Sequence, residues 1–474
     1  MNNIQPYLGR QISAASLAFF RIAFGAIMFW EVCRYFHYGW IYEYYIAPDF
    51  HFHYWGFEWL DPWQGNGMYL HFIVLGALAL MIMLGFFYRV VATLFFLGFT
   101  YVFLLDQANY LNHFYLISLV SFLLIFVPAH RNYSIDAALR PKISSDTIPI
   151  WSLWLIQFQI GVAYFYGGIA KINHDWLSGE PMRMWLEDAV DFPIIGPFFT
   201  TNWMPYFFSY SGLLLDLLIV PALLWKRTRL FAFIAITLFH LTNAQLFQIG
   251  IFPWMMIAVT TIFFEPDWCG NILSRFYTKP SFVQQQKINP TLSPAFKWTA
   301  CVLGIYITWQ VLFPFRHLLI PSNVHWTDEG HNFSWHMKLR DKASKGAFYV
   351  KNLDTDKAEW KIRDKRYLST RQRSKMRTRP DMILKYAHHL RSIYQKKGYE
   401  NIQVRAELTC SLNGRPSQFL VDPLVNLATI ESYEMPATWI NPLSFTLEDG
   451  EKLRTEKANI IKKKIQEKGI NENR

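Results

Sequence analysis

Charge is scarce in this 474-residue chain: Asp, Glu, Lys and Arg together make up 17%, against the quarter usual in soluble proteins. Acids are the scarcer kind, 35 against 46 bases, for a formal net charge of +11. Cysteine is scarcer still. Cys33, Cys269, Cys301 and Cys410 lie far apart, with neither a CxxC pair nor metal-ligand spacing, which excludes a disulfide-stapled secreted module. What abounds is apolar: 52% of the residues are hydrophobic and 18% aromatic. The apolar runs crowd together up to about Phe315, and from Arg316 the sequence turns polar and basic. A soluble globule would scatter such runs, so a wholly soluble enzyme and a disordered chain are both excluded. In a soluble chain the positive charge would suggest nucleic acid. In a membrane protein it reflects cytoplasmic loops and anionic lipid headgroups, so membrane lipid is the expected partner and nucleic acid is not.

A hydrocarbon core of about 30 Å needs roughly 20 mostly apolar residues per helix. Nine runs qualify as candidate spans, near 14–33, 68–88, 89–106, 111–128, 149–171, 204–225, 229–246, 250–265 and 296–315. The seventh and eighth are short or interrupted, so eight or nine spans are expected. With the N-terminus in the cytoplasm, the inner loops collect Arg89, Arg131, Arg140, Lys226, Arg227 and Arg229, while the outer loops hold little beyond Arg34 and Arg183. That bias predicts a cytoplasmic N-terminus and a C-terminal domain in a periplasm or lumen. The expected fold is thus an α-helical polytopic membrane domain, 1–315, followed by an α+β extramembrane domain, 316–450, and a charged tail, 451–474. In the second domain, alternating residues from Val404 to Leu412 run into Asn413-Gly414, with Phe419 and Val421 beyond, a hairpin pattern. Positions 381–394 carry helical periodicity.

Polar residues at membrane depth are costly and mark candidate sites. Three groups stand out: Asn112 and His113 in NYLNHFYL, Lys171 in YFYGGIAKINHDW, and His240, Asn243 and Gln245 in FHLTNAQLFQIG. In the orientation above, all three lie near the outer face of the membrane. Lys171 either snorkels to the headgroups or is buried, where loss of hydration favours a neutral amine able to act as a base. His113 either serves a reacting oxygen or is a satisfied histidine at a helix start. The His240 group suits a ligand pocket or interhelical hydrogen bonding equally well. Arg21, and Glu31 with Arg34, read as structural ion pairs. His51 and His53 lack an accompanying carboxylate or thiolate cluster, so no metal is expected there.

The segment FYGGIAKINHDWLSGEPM resembles the catalytic-lysine segment of the vitamin K-dependent gamma-glutamyl carboxylases. LNHFYL followed by NYSIDAAL is similar to that family's asparagine–histidine pair, and FHLTNAQLFQIGIF to another of its membrane segments. The likeness continues through HNFSWHMKLR, DMILKYAHHLRSIY, RPSQFLVDPLVNL and TWINPL, in one order from about Phe20 to Leu443. The N-terminal part also resembles the broader HTTM membrane domain.

This resemblance implies gamma-carboxylation of protein glutamate coupled to oxidation of vitamin K hydroquinone to its epoxide, with dioxygen and carbon dioxide as co-reactants and no metal. It puts Lys171 on the base that deprotonates the hydroquinone. His113, with Asn112 beside it, falls on the residue that stabilises the oxygenated species formed next. His240, Asn243 and Phe247 are expected to contribute to the quinone pocket. Phe333, Trp335, His336 and Arg340, within 331–340, fall on the region that binds the glutamate-containing substrate. The family's animal members join an early outer loop to the helix at 381–394 by a disulfide, where this chain has His389. They also continue far beyond the point where this chain stops, which resembles the short bacterial relatives. Two rival readings are a membrane quinol oxygenase that carboxylates no peptide, and a non-enzymatic transport or receptor module.

Overall fold

The computed structural model describes residues 8–247, 249–276, 294–355 and 359–472. The chain forms two compact units, Met1–Ile169 with Gly212–Pro314, and Ala170–Ser211 with Phe315–Arg474. The segment 170–211, read from sequence as part of the membrane domain, thus packs with the C-terminal region.

Each of the nine apolar runs is a helix: α1 (Ala15–His37), α2 (Gly67–Leu84), α3 (Tyr88–Leu104), α4 (Asn112–Phe126), α5 (Ile150–Ile169), α6 (Met204–Leu224), α7 (Arg229–Phe247), α8 (Phe252–Thr260) and α9 (Pro294–Leu312). Five helical stretches are long and apolar enough to cross a membrane: Ala15–His37, Gly67–Leu84, Met204–Leu224, Arg229–Phe247 and Ala300–Leu319. Helices α3, α4 and Phe252–Phe263 are apolar but shorter. The nine residues of α8 rise only about 14 Å, half the hydrocarbon thickness. Helix α5 is long enough but carries Ser152, Gln157 and Gln159 within it.

Close packing at α1 and α2 has a specific cause. A Cβ on Gly25 would lie 2.6 Å from both the carbonyl oxygen of Ala79 and the amide nitrogen of Met83, so only glycine lets the two backbones approach this closely. Gly25→Ala gains about 1 kcal/mol of helix propensity. It also forces backbone apart, an overpacking cost of about 1–3 kcal/mol. Thermal unfolding in detergent is expected to show a lower midpoint for Gly25→Ala than for wild type.

Arg21 is held by backbone carbonyls. It is fully buried and donates to the carbonyls of Ala129 (3.0 Å), Ile82 (2.8 Å), Met83 and Tyr133, joining α1 to the end of α2 and the loop beyond α4. These carbonyls lie at or beyond helix ends, and a guanidinium has donors enough for all of them. Glu31 and Arg34 do pair, at 2.6 Å. Strands β1 (Gln11–Ser13) and β2 (Thr147–Pro149) pair antiparallel and tie the start of α1 to the start of α5.

The second unit contains a sheet in the order β4-β3-β5-β6, with β3 Lys342–Asn352, β4 Trp360–Lys361, β5 Ile402–Leu412 and β6 Gln418–Phe419. Strand β5 alternates strictly, burying Ile402, Val404, Ala406, Leu408, Cys410 and Leu412 on one face. Helix α10 (Pro380–Gln395), the one expected at 381–394, packs against β5. Asn413 and Gly414 adopt φ +50° and +78°, as the Asn-Gly turn requires. The hairpin it makes is nevertheless short, because β6 has two residues and the long partner of β5 is β3. The final helix, α11, spans Leu447–Glu472. The four cysteines are free.

Candidate functional site

In the first unit, two of the three polar groups meet. Helix α4 starts at Asn112, whose Oδ1 accepts from the Tyr110 hydroxyl at 3.0 Å. The His113 ring lies 5.5 Å from Phe252, at the start of α8, and His240 of α7 meets the same ring edge-on at 5.8 Å. His240 is buried, its Nε2 2.9 Å from the Tyr164 hydroxyl, which in turn lies 3.1 Å from Thr260 Oγ1. Its Nδ1 is buried with no hydrogen-bond partner in the structure. Asn243 and Phe247, further along α7, are half-buried. Tyr164, Phe252 and Thr260 escaped the sequence reading, because each sits in an apolar run where a hydroxyl or ring reads as core.

A cavity of about 20 Å³ between α1, α2, α3 and α4 is lined by Glu31, Tyr35, Phe72, Phe99 and Phe114 among others. It has room for one water molecule and is far smaller than a naphthoquinone.

In the second unit, Lys171 is 5% exposed, with Nζ 5.5 Å from the ring centre of Trp176. The side chain is therefore buried against an aromatic face, an arrangement favourable for a cation. Its backbone is held firmly. The Asn173 amide donates to the Lys171 carbonyl at 2.9 Å, and Asn173 Oδ1 accepts from the Trp176 amide at 3.0 Å, capping the turn His174–Leu177. Trp176 is fixed in turn by its indole N–H, 2.8 Å from the Ser209 carbonyl.

The Asn413-Gly414 turn acts on the same segment. Asp175 receives both Nη atoms of Arg415 at 2.6 Å and Asn413 Nδ2 at 2.7 Å. Burial raises the carboxyl pKa, but the Arg415 and Asn413 hydrogen bonds and the Arg415 charge outweigh it and hold Asp175 below the usual range. A depressed carboxyl stabilises the fold above its unfolded pKa, about 3.9, and loses that contribution as pH falls through its folded value. Asp175→Asn, which strands Arg415, is expected to lower stability by about 3 kcal/mol. In thermal unfolding its gap from wild type should stay constant from about pH 5 to 8 and narrow below about pH 4.

The stretch that precedes β3 holds Phe333, Trp335, His336 and Arg340, the four residues for which the resemblance implies glutamate binding. Trp335 and His336 are buried; Phe333 and Arg340 are half-buried. Arg340 donates to the His325 carbonyl at 2.5 Å and to Asp328, which also receives Lys342 at 2.9 Å. Burial alone would raise the Asp328 carboxyl, yet the Arg340 and Lys342 charges hold it far below the usual range.

One expectation is corrected here. The sequence was read as lacking a metal-ligand cluster, but His325, His331 and His336 converge, with one ring nitrogen from each within 4.8 Å of the others. Burial, then the nearby Arg340 charge, pushes His325 down to about 4. Burial likewise takes His331 and His336 well below the imidazole range, so all three are neutral at pH 7. Their spacing in HWTDEGHNFSWH matches no regular helix or strand period, so only the irregular loop brings them together. His51 instead pairs with Asp106 at 3.4 Å.

Comparison with known families agrees with this architecture. Residues 9–268 match the HTTM domain, and residues 295–446 match the vitamin K-dependent gamma-carboxylase, lumenal domain. No solved structure matches the chain. With its apolar helices and both domains matched, the chain is a membrane protein that belongs to the HTTM family and, within it, to the vitamin K-dependent gamma-glutamyl carboxylases.

Proposed function

We propose that this protein carboxylates glutamate residues of a peptide or protein and couples that reaction to oxidation of vitamin K hydroquinone to the epoxide. In the net change, a glutamate γ-C–H bond is replaced by a bond to carbon dioxide, with release of a proton. The hydroquinone and dioxygen give the epoxide and water. The observation that carries this reading is a buried Lys171 beneath Trp176 in a chain with both carboxylase-family domains.

No side-chain base can ionise a glutamate γ-C–H. Reduced vitamin K, oxidised by dioxygen, supplies the stronger base that this step needs. The chain's own tasks are smaller. The Lys171 amine takes a proton from a phenol-like hydroxyl, and its aromatic surroundings keep water from competing. His113, beside Asn112, directs an N–H toward an oxygen that gains charge. The unpartnered Nδ1 of buried His240 is a hydrogen-bonding position suited to a quinone oxygen, with Asn243 and Phe247 further along the helix. Phe333, Trp335, His336 and Arg340 are assigned to the glutamyl substrate. A cytoplasmic N-terminus, eight or nine membrane segments and a C-terminal domain in the periplasm or lumen complete the reading.

A second reading, quinol oxygenation without peptide carboxylation, is favoured by one observation: the Arg340 guanidinium is already neutralised by Asp328. Purified enzyme supplied with reduced vitamin K, labelled bicarbonate and a generic glutamyl peptide distinguishes the two. Epoxide with label in the peptide is the expected result. Epoxide with no label in any glutamyl peptide would replace the carboxylase reading with the oxygenase one.

A further inference from the structure

The histidine cluster supports more than a polar lining. His325, in the short helical turn Val324–Thr327, and His331 and His336, in the irregular stretch that leads to β3, have ring centres 6.3, 5.3 and 5.0 Å apart pairwise. All three are more than nine-tenths buried. The Nδ1 atoms of His325 and His331 are buried and have no hydrogen-bond partner in the structure. An orphaned buried polar atom is a standing cost that native folds seldom leave uncompensated. The stretch is also built under strain: Asp328, Phe333, Trp335 and Lys338 all have φ between +48° and +66°, the left-handed region that non-glycine residues avoid. Strain and orphaned nitrogens together mark this stretch as a candidate ligand site.

We propose that His325, His331 and His336 form a binding site for one divalent transition metal of the zinc class, with a fourth position left open. Imidazole nitrogen is the ligand type such ions prefer, whereas calcium and magnesium need oxygen, and the set contains none. Three histidines with an open position is the arrangement of catalytic rather than structural zinc. Tetrahedral zinc–nitrogen bonds near 2.0–2.1 Å separate ligand nitrogens by about 3.4 Å, so the 4.8 Å spread closes with ring rotations of about 1.5 Å. Asp328 and its ion pair with Arg340 keep the adjacent guanidinium from presenting an uncompensated charge to a cation. The site does not depend on the carboxylase reading, and its test does not use activity.

The test uses the purified full chain in detergent, freed of affinity-tag histidines, stripped with a chelator and titrated with Co²⁺. Visible absorption bands of tetrahedral cobalt are expected to saturate at one ion per chain and to be bleached by Zn²⁺. His331→Gln and His336→Gln are each expected to weaken Co²⁺ binding more than about 100-fold, beyond the loss from removing an outer-shell partner. His174→Gln, at a ring 81% exposed, should bind as wild type does. Folded wild type that binds no equivalent of Co²⁺ would overturn the site, whatever the variants do. So would His174→Gln losing as much affinity as His331→Gln, which would mean adventitious surface binding.

Discussion

Lys171→Ala is expected to lose epoxide formation by about 10²–10⁴-fold, the contribution of a positioned general base. The variant should keep its fold, because the backbone around residue 171 is held by Asn173 and the Trp176 indole by Ser209. Small primary amines, supplied in solution, should restore part of the lost rate, since truncation to Cβ vacates the volume of a propylamine beside Trp176. Lys171→Arg separates chemistry from structure. Arginine preserves the cation above Trp176 but stays protonated throughout the working range, so it cannot accept the proton. If Lys171 were only a packing cation over an indole, Lys171→Arg would be nearly as active as wild type. The base assignment requires it to be as inactive as Lys171→Ala.

Asp328→Asn is the substitution expected to damage the second unit most. Its carboxylate is nearly inaccessible, at 8%, and takes ion pairs from Arg340 and from Lys342, itself 4% exposed. Removing the negative charge strands two buried cations beside one another, and breaking even a single buried pair costs about 3–5 kcal/mol. A large drop in unfolding temperature is expected. Lys342→Met added to Asp328→Asn should recover part of it, because one of the two stranded charges is gone and its hydrocarbon stem is kept. Equal loss in the single and double variants would mean that the ion pairs contribute little and that backbone strain in the loop dominates.

Much of this architecture was legible in the sequence. Long apolar runs fix helices because an unpaired backbone cannot cross lipid, and each of the nine runs is a helix within a few residues of its expected ends. The strict alternation of β5 and the Asn413-Gly414 turn were equally clear. What the sequence concealed depends on long-range encounters. The pairing of β3 with β5 joins residues 342–352 to 402–412, and no local pattern announces a partner that distant. The carbonyls that bind Arg21 belong to a group present in every residue, so nothing local singles them out. The candidate site divides in the same way. His113, Lys171 and His240 were visible as polar intrusions in apolar helices. Tyr164, Phe252 and Thr260 were not, since they fit an apolar helix and matter only through their neighbours. The histidine cluster was missed because its members follow no period and meet only through a loop with left-handed turns at Asp328, Phe333 and Trp335.

Whether Lys171 is the base of a glutamyl carboxylase is decided by mass spectrometry of a glutamyl peptide incubated with reduced vitamin K, dioxygen and bicarbonate, run in parallel on wild type, Lys171→Ala, and Lys171→Ala with an added amine. A peptide heavier by one carbon dioxide is expected from wild type, none from Lys171→Ala, and a partial return of the product when the amine is present. A fully carboxylated peptide from Lys171→Ala without any amine would contradict that role.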